Sequence, residues 1–218
     1  GGADDELTMG RNDAAFDDYE LMPRPLLDMS TVDTRTRALG TTLEWPVILS
    51  PTGGTRLFHH GKEPAVARAA AAAGALDSLS TAGTSSLEEV AAASDGPKMF
   101  QLYMYKDRSL SAELVARAKA CGYAALCLTV DTPQAGYRER DIVHGLSMPP
   151  RFGLSSLASF AMRPEWTLNF LLQPQFSFAN VASRCGPGTG FASTIHYVGL
   201  QQDRAVTWKD VEWLRGLW

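Results

Sequence analysis

The feature that most restricts the fold of this chain is an alternation of strand-like and helix-like stretches. Pro46 to Pro51, Ala75 to Ser80, Lys98 to Tyr105 and Ala124 to Asp131 are short apolar runs and predict strands. Between them, Glu63 to Ala73, a stretch opening at Ser85-Ser86, and Ser109 to Ala120 predict helices. Glu88 and Glu89 fall in the first turn of the second helix, where the dipole favours acids, and Gly122 closes the third. A regular strand–helix rhythm implies a parallel sheet with helices outside it, so the fold class is α/β. The run from Ala124 to Val130 is apolar at successive positions and predicts a strand buried on both faces.

Polar residues stand where these strands end. The four ends are Pro51-Thr52-Gly53, Ser80-Thr81, Gln101 with Tyr103, and Thr129 with Asp131. In parallel barrels, functional groups occupy the C-terminal ends of strands and the loops after them. A ring of hydroxyl, amide and carboxylate groups could hydrogen-bond the edge of a flat polar heterocycle and leave one acid for proton chemistry. Arg138 and Arg140 follow Asp131 closely and could hold a small anionic substrate. A plainer reading stands beside this one: Asp131 caps a turn, Tyr103 is a core aromatic, and the arginines are solvated.

At 218 residues, 45% hydrophobic and 20% charged, the composition is that of an ordinary globular chain. A net charge of −4 gives no support for nucleic-acid binding, and no stretch has the apolar length of a transmembrane helix. Cys121, Cys127 and Cys185 are an odd set without metal spacing, read as reduced thiols of a cytoplasmic protein. Four strands with about four helices make half of a (β/α)8 barrel, which takes ~250 residues. The chain opens on Gly-Gly-Ala and ends on Trp218 inside a helical pattern, so both ends read as cut.

Four regions follow. Residues 1–45 hold a short amphipathic helix (Leu7, Met9, Phe16) and then loops with a hairpin. Residues 46–141 hold the four strands. Residues 142–206 are a long insertion, and 207–218 a helix capped by Thr207. Within the insertion, 150–181 carries Phe152, Phe160, Trp166, Phe170, Phe176 and Phe178 but only Arg151, Arg163 and Glu165 as charges. It predicts either a surface that lies on a membrane or partner, or packing against its own protein. Gly186-Pro187-Gly188-Thr189-Gly190 reads as a flexible loop. It fails as a nucleotide loop for want of a preceding strand.

The chain resembles the FMN-dependent α-hydroxy-acid dehydrogenase and oxidase family, nearest to its mandelate and lactate dehydrogenases. The resemblance rests on Gly-Gly-Ala-Asp-Asp-Glu at 1–6, Pro-Thr-Gly at 51–53, Leu-Ser-Thr at 79–81, Thr-Ser-Ser-Leu-Glu-Glu at 84–89, Phe-Gln-Leu-Tyr at 100–103, Leu-Thr-Val-Asp-Thr-Pro at 128–133 and Trp-Lys-Asp-Val-Glu-Trp-Leu at 208–214. It implies a (β/α)8 TIM barrel of which this chain supplies the N-terminal segment and about the first four βα units. The implied cofactor is FMN. The implied reaction oxidises a lactate- or mandelate-like L-2-hydroxy acid to the 2-keto acid and passes electrons to a quinone-type acceptor. The alternatives are an oxidase that returns electrons to O2 as H2O2, and an inactive fragment that needs a C-terminal half. A homotetramer is implied, with peripheral contact of 150–181 on the inner face of the cytoplasmic membrane.

The resemblance also assigns roles. The backbone of Pro51, Thr52 and Gly53, the hydroxyls of Ser80 and Thr129, and the Gln101 amide would contact flavin. Tyr103 would hydrogen-bond substrate, Asp131 would orient a catalytic histidine, and Arg138 would be a loop arginine for the substrate carboxylate. The family's histidine, its carboxylate-binding arginine, its flavin-stabilising lysine and its phosphate site have no counterpart here. His59, His60, His144 and His196 do not replace the base and read as structural or solvated. Ala82 stands where glycolate oxidases tend to carry a bulky aromatic, which implies room for a larger substrate.

Overall fold

The computed structural model describes residues 2–131, 133–134, 136–145, 153–173, 176–184 and 197–218. Cys185, the Gly186–Gly190 run, His196, Arg151 and Phe152 lie outside the described residues. The chain forms two compact units, one from Gly1–Asp33 with Gln134–Arg151, the other from Thr34–Pro133 with Phe152–Trp218.

In the smaller unit, helix α1 (Leu7–Ala14) runs on into a 3-10 turn, Ala15–Asp18. Leu7, Met9 and Phe16 are exposed, so the amphipathic stripe covers no core. Asp4 N–H donates to the Tyr137 carbonyl at 2.8 Å, and Arg140 pairs with Glu6. A short helix, α5 (Glu139–Val143), follows Arg138, which caps its N-terminus by position.

The larger unit opens on a hairpin, β1 (Thr36–Ala38) with β2 (Thr41–Leu43). Leu39 and Gly40 turn it with φ of +51° and +76°, the positive pair a tight hairpin requires. Segment 46–51 was expected to be a full strand. Among the described residues it is joined to the sheet by isolated parallel bridges, Ile48 to Leu76 and Thr52 to Leu79. Pro46 and Pro51 bracket the segment, and neither has an N–H to give to a ladder.

Helix α2 (Lys62–Ala72) leads to β3 (Asp77–Ser80), α3 (Leu87–Ala93) to β4 (Lys98–Tyr103), and α4 (Arg108–Ala120) to β5 (Ala125–Thr129). The sheet order is β3-β4-β5, all parallel. Parallel neighbours need crossovers, and the helices supply them. Ser86 caps α3, with Glu89 closing the reciprocal capping box. Asp107 caps α4 by accepting from Ser109 N–H at 2.9 Å, and Gly122 ends it at φ +74°. The core lies between sheet and helices: Leu79, Phe100, Leu102, Leu87, Leu110 and Leu114 are each 0–1% exposed.

One expectation fails at β5. Only Ala125 is buried, the next four residues are half-buried, and Val130 is 66% exposed. Among the described residues β5 pairs with β4 alone, so it is a margin of the sheet and not an interior strand. Beside it, Leu126, Leu128, Val211, Leu214 and Trp218 line an apolar groove.

The insertion contains two helices that were not foreseen, α6 (Leu154–Ala161) and α7 (Pro164–Leu172). Phe160, Trp166 and Phe170 stack in series, with ring centroids 5.4 and 4.9 Å apart. Trp166 Nε1 donates to the Leu57 carbonyl at 2.9 Å. Buried Arg56 donates to the Asn169 and Phe170 carbonyls and lies 5.1 Å over the Phe170 ring. A cation at the last turn of α7 suits its dipole. The aromatics therefore pack on their own protein, while Leu157, Met162, Leu168, Leu171 and Leu172 remain exposed.

The return to the sheet is pinned at residues 200–203. Lys106 N–H and Asp203 N–H bond the carbonyls of Gln201 and Met104, and Arg108 pairs with Asp203 and Asp210 at 2.6 and 2.7 Å. The final helix, α8 (Trp208–Leu217), starts at Thr207 with a capping box to Asp210.

Candidate active site

The parallel register sets polar residues opposite one another in two pairs at the strand ends. Ser80 faces Gln101 across β3 and β4, and Tyr103 faces Thr129 across β4 and β5. Ser80 Oγ donates to Gln101 Oε1 at 2.8 Å, and Gln101 Nε2 donates to Thr129 Oγ1 at 2.6 Å. The amide has one orientation, because Thr81 N–H also points at Oε1, at 3.3 Å, and an N–H must meet an oxygen. A carboxamide nitrogen carries two hydrogens. The second Nε2 hydrogen and the Thr129 hydroxyl proton have no partner among the described residues. The line ends in donors at the C-terminal margin of the sheet.

Around this line the strand ends lock together. Thr81 Oγ1 donates to the Gln101 carbonyl at 2.5 Å, and Gly54 N–H donates to the Ala82 carbonyl at 3.0 Å. Gly53 approaches Ala82 so closely that a Cβ on it would lie 3.1 Å from the Ala82 Cβ. Pro51, Thr52 and Gly53 thus border the loop that follows Ser80, with Thr52 and Gly53 exposed. Tyr103, half-buried, receives its backbone hold from Thr81, whose Oγ1 accepts from Tyr103 N–H at 3.3 Å. Asp131 lies exposed two residues beyond β5. Arg138 belongs to the other compact unit.

Two residues that matter here escaped the sequence reading, Glu63 and Asn180. Buried Glu63 accepts from Thr84 N–H at 2.7 Å and from the Thr84 hydroxyl, tying α2 to the loop after β3. A lone acid in an alanine-rich helix was the available signal. Thr81, named with Ser80 among the strand-end hydroxyls, is fully buried and bonds the Gln101 carbonyl within the sheet. Asn180, in the insertion, bonds the start of α3. The histidines stay outside this line: His59 and His60 stack at 4.3 Å on the loop before α2, and exposed His144 ends α5.

The donor set fits the polar edge of an isoalloxazine ring, which offers carbonyl oxygens and ring nitrogens to donors such as Gln101 Nε2 and Thr129 Oγ1. Comparison with known proteins agrees with that chemistry. The FMN-dependent dehydrogenase family profile matches residues 1–218. Glycolate oxidase 1 of Zea mays is 39% identical over 214 residues, covering 98% of this chain and 52% of that protein. Glycolate oxidase of Spinacia oleracea is 38% identical with the same coverage. Among solved structures, the monotopic membrane protein (S)-mandelate dehydrogenase superposes with a TM-score of 0.92 at 32% identity, over all of this chain and 58% of its own. A mandelate oxidase gives 0.75 at 31% identity, over all of this chain and 53% of its own. The chain spans about half the length of the curated relatives it matches, and its parallel βα units correspond to the first part of their TIM barrel. Strand-end chemistry, barrel topology and sequence together make this chain a member of the FMN-dependent dehydrogenase family.

Proposed function

We propose that this chain is the flavin-gripping half of an FMN-dependent dehydrogenase that oxidises a lactate- or mandelate-like L-2-hydroxy acid to its 2-keto acid. The observation that carries the reading is the hydrogen-bond line Ser80–Gln101–Thr129, which crosses three parallel strands at one margin and presents donors there. FMN, when bound, supplies the two-electron acceptor.

The chain's own residues bind and orient. Gln101 and Thr129 would grip the polar edge of the ring, and the backbone of Pro51 to Gly53 would contact it. Tyr103 holds the substrate oxygen. Asp131 fixes the imidazole of a base from the remaining half of the barrel and stabilises its protonated form, and Arg138 takes the substrate carboxylate. Electrons pass to a quinone-type acceptor. The exposed leucines of α6 and α7, with Met162, rest on the inner face of the cytoplasmic membrane, which places the enzyme beside a lipid-soluble acceptor. The full enzyme assembles as a homotetramer.

A second reading has its own support, because glycolate oxidases and a mandelate oxidase are among the relatives: electrons return to O2 as H2O2. The test is anaerobic mixing of the full-length protein with lactate, mandelate and glycolate, following flavin bleaching, and then reoxidation by quinone or by O2. Bleaching by lactate or mandelate with quinone-dependent turnover is expected. H2O2 produced one-for-one with keto acid, with indifference to quinone, overturns the dehydrogenase assignment.

A further inference from the structure

The loop between β3 and α3, residues 81–86, leaves the sheet directly after Ser80. It is held from within by Glu63 on Thr84. It is also held from outside, by a residue 93 positions further along the chain. Asn180 Oδ1 accepts from Leu87 N–H at 2.9 Å, and its Nδ2 donates to the Ser85 carbonyl at 3.4 Å. Asn180 is fully buried, as is Ser85. Leu87 N–H is one of the free donors at the start of α3, and the Ser86 hydroxyl already serves Glu89 N–H. The carboxamide thus spans the helix start and the loop end, one bond to each.

The segment that carries Asn180 is itself anchored. Val181 is 1% exposed within the core, Arg117 donates to the Asn180 carbonyl, and Arg184 pairs with Glu113 of α4. Loop 81–86 in turn feeds the strand end: Gly83 N–H bonds the Ser80 carbonyl, Ala82 N–H bonds Ser80 Oγ, and Thr81 bonds Gln101. Loop 81–86 is therefore hydrogen-bonded at both ends, to the insertion through Ser85 and to the Ser80–Gln101–Thr129 line through residues 81–83, with the backbone at Thr84 joining the two. We propose that Asn180 is a positioning residue: through the Ser85–Leu87 corner, the insertion fixes the loop that orients the flavin-binding strand ends. This rests on the flavin reading above. Geometry at such sites tolerates only small errors, so the supporting residues govern affinity as the contacting ones do.

The experiment compares three variants of the full-length holoprotein. Asn180→Ala removes both bonds. Asn180→Asp keeps the acceptor for Leu87 N–H and loses the donor to Ser85. Leu43→Ala removes a buried side chain of the β1–β2 hairpin, outside the core cluster that holds Val181, and leaves the corner untouched. Two readouts are taken beside the melting temperature: hydrogen exchange of the amides of residues 82–87, and the FMN dissociation constant. In Asn180→Ala both rise by about tenfold, the order expected for losing a buried bond. Asn180→Asp lies between it and wild type, and Leu43→Ala melts lower with both readouts unchanged. Equal changes in Asn180→Ala and Leu43→Ala at equal loss of melting temperature, or no change in Asn180→Ala, overturn the proposal. If the wild-type protein takes up no FMN, the functional reading fails, and the exchange data alone decide the role of Asn180.

Discussion

At the scale of single residues, Gln101 is the pivot. It accepts from Ser80 and Thr81 on one strand and donates to Thr129 on another, at 3% exposure. Gln101→Leu strands the buried Ser80 hydroxyl, whereas Thr81 N–H keeps its bond to the Gln101 carbonyl, and should cost about 1–3 kcal/mol in urea unfolding. FMN affinity, measured by quenching of flavin fluorescence, should fall with it. Gln101→Glu keeps both acceptors but cannot donate to Thr129, so it should lose FMN affinity with a smaller loss of stability. Glu88 offers a separate test by pH. Its hydrogen bonds to Arg117, at 2.7 and 2.8 Å, hold its carboxyl down at about 2 from an ordinary 4.5. A depressed carboxylate stabilises the fold above its unfolded value and ceases to as pH falls through its folded one. The contribution is therefore present above pH 4.5 and lost between 4.5 and about 2. The side chain is 51% exposed, so solvent limits the pair to about 1 kcal/mol at most. Glu88→Gln should flatten the fall in the urea midpoint across that window, and an unchanged slope would show the pair to be inert.

At the scale of elements, most of the sheet was legible because its signals are local. Ser86 with Glu89, Asp107 and Gly122 mark helix ends within a few residues, and the apolar runs mark β3, β4 and β5. Gly122 makes the point measurable. Its φ is +74° and no atom lies near the place of a Cβ, so Gly122→Ala adds backbone strain alone. About 1–2 kcal/mol should be lost in urea unfolding, with Asn less costly than Ala. What escaped the sequence depends on distance along the chain. Nothing near Asn180 shows that it meets Leu87, and nothing in the Phe160–Trp166–Phe170 spacing shows that the rings turn inward to Arg56 while the leucines face out. Arg163-Pro164-Glu165 did carry a helix-start signal, proline in the first turn followed by an acid, which the low charge of the stretch masked. The candidate site was readable for a related reason. Its residues end strands, where a polar side chain after an apolar run has no packing role, whereas Glu63, which holds the loop after Ser80 in place, looks like an ordinary helix residue.

At the scale of the whole molecule, the larger unit leaves both margins of its sheet unpaired among the described residues. Beside β5 lies the groove of Leu126, Leu128, Leu214 and Trp218, and beside segment 46–49 another lined by Trp45, Val47, Leu49 and Val66. A parallel sheet is stable when both faces and both edges are covered. The 218-residue chain purified alone should therefore bind an apolar dye such as ANS and self-associate as its concentration rises in gel filtration. The same chain continued through a full barrel, about 40 kDa by the size such barrels take, should bind far less dye and elute as one assembly of fixed size at every concentration. A monomeric, dye-silent 218-residue product would show that the grooves are closed by other means. The two margins differ in how firmly they are sewn. β5 carries a ladder of five paired positions against β4, while segment 46–52, among the described residues, bridges to the sheet at Ile48 and Thr52. A tether with two stitches peels before one with five, so pulling on the molecule, or a protease nibbling at it, would unzip the first barrel segment while the Ser80–Gln101–Thr129 seam was still shut.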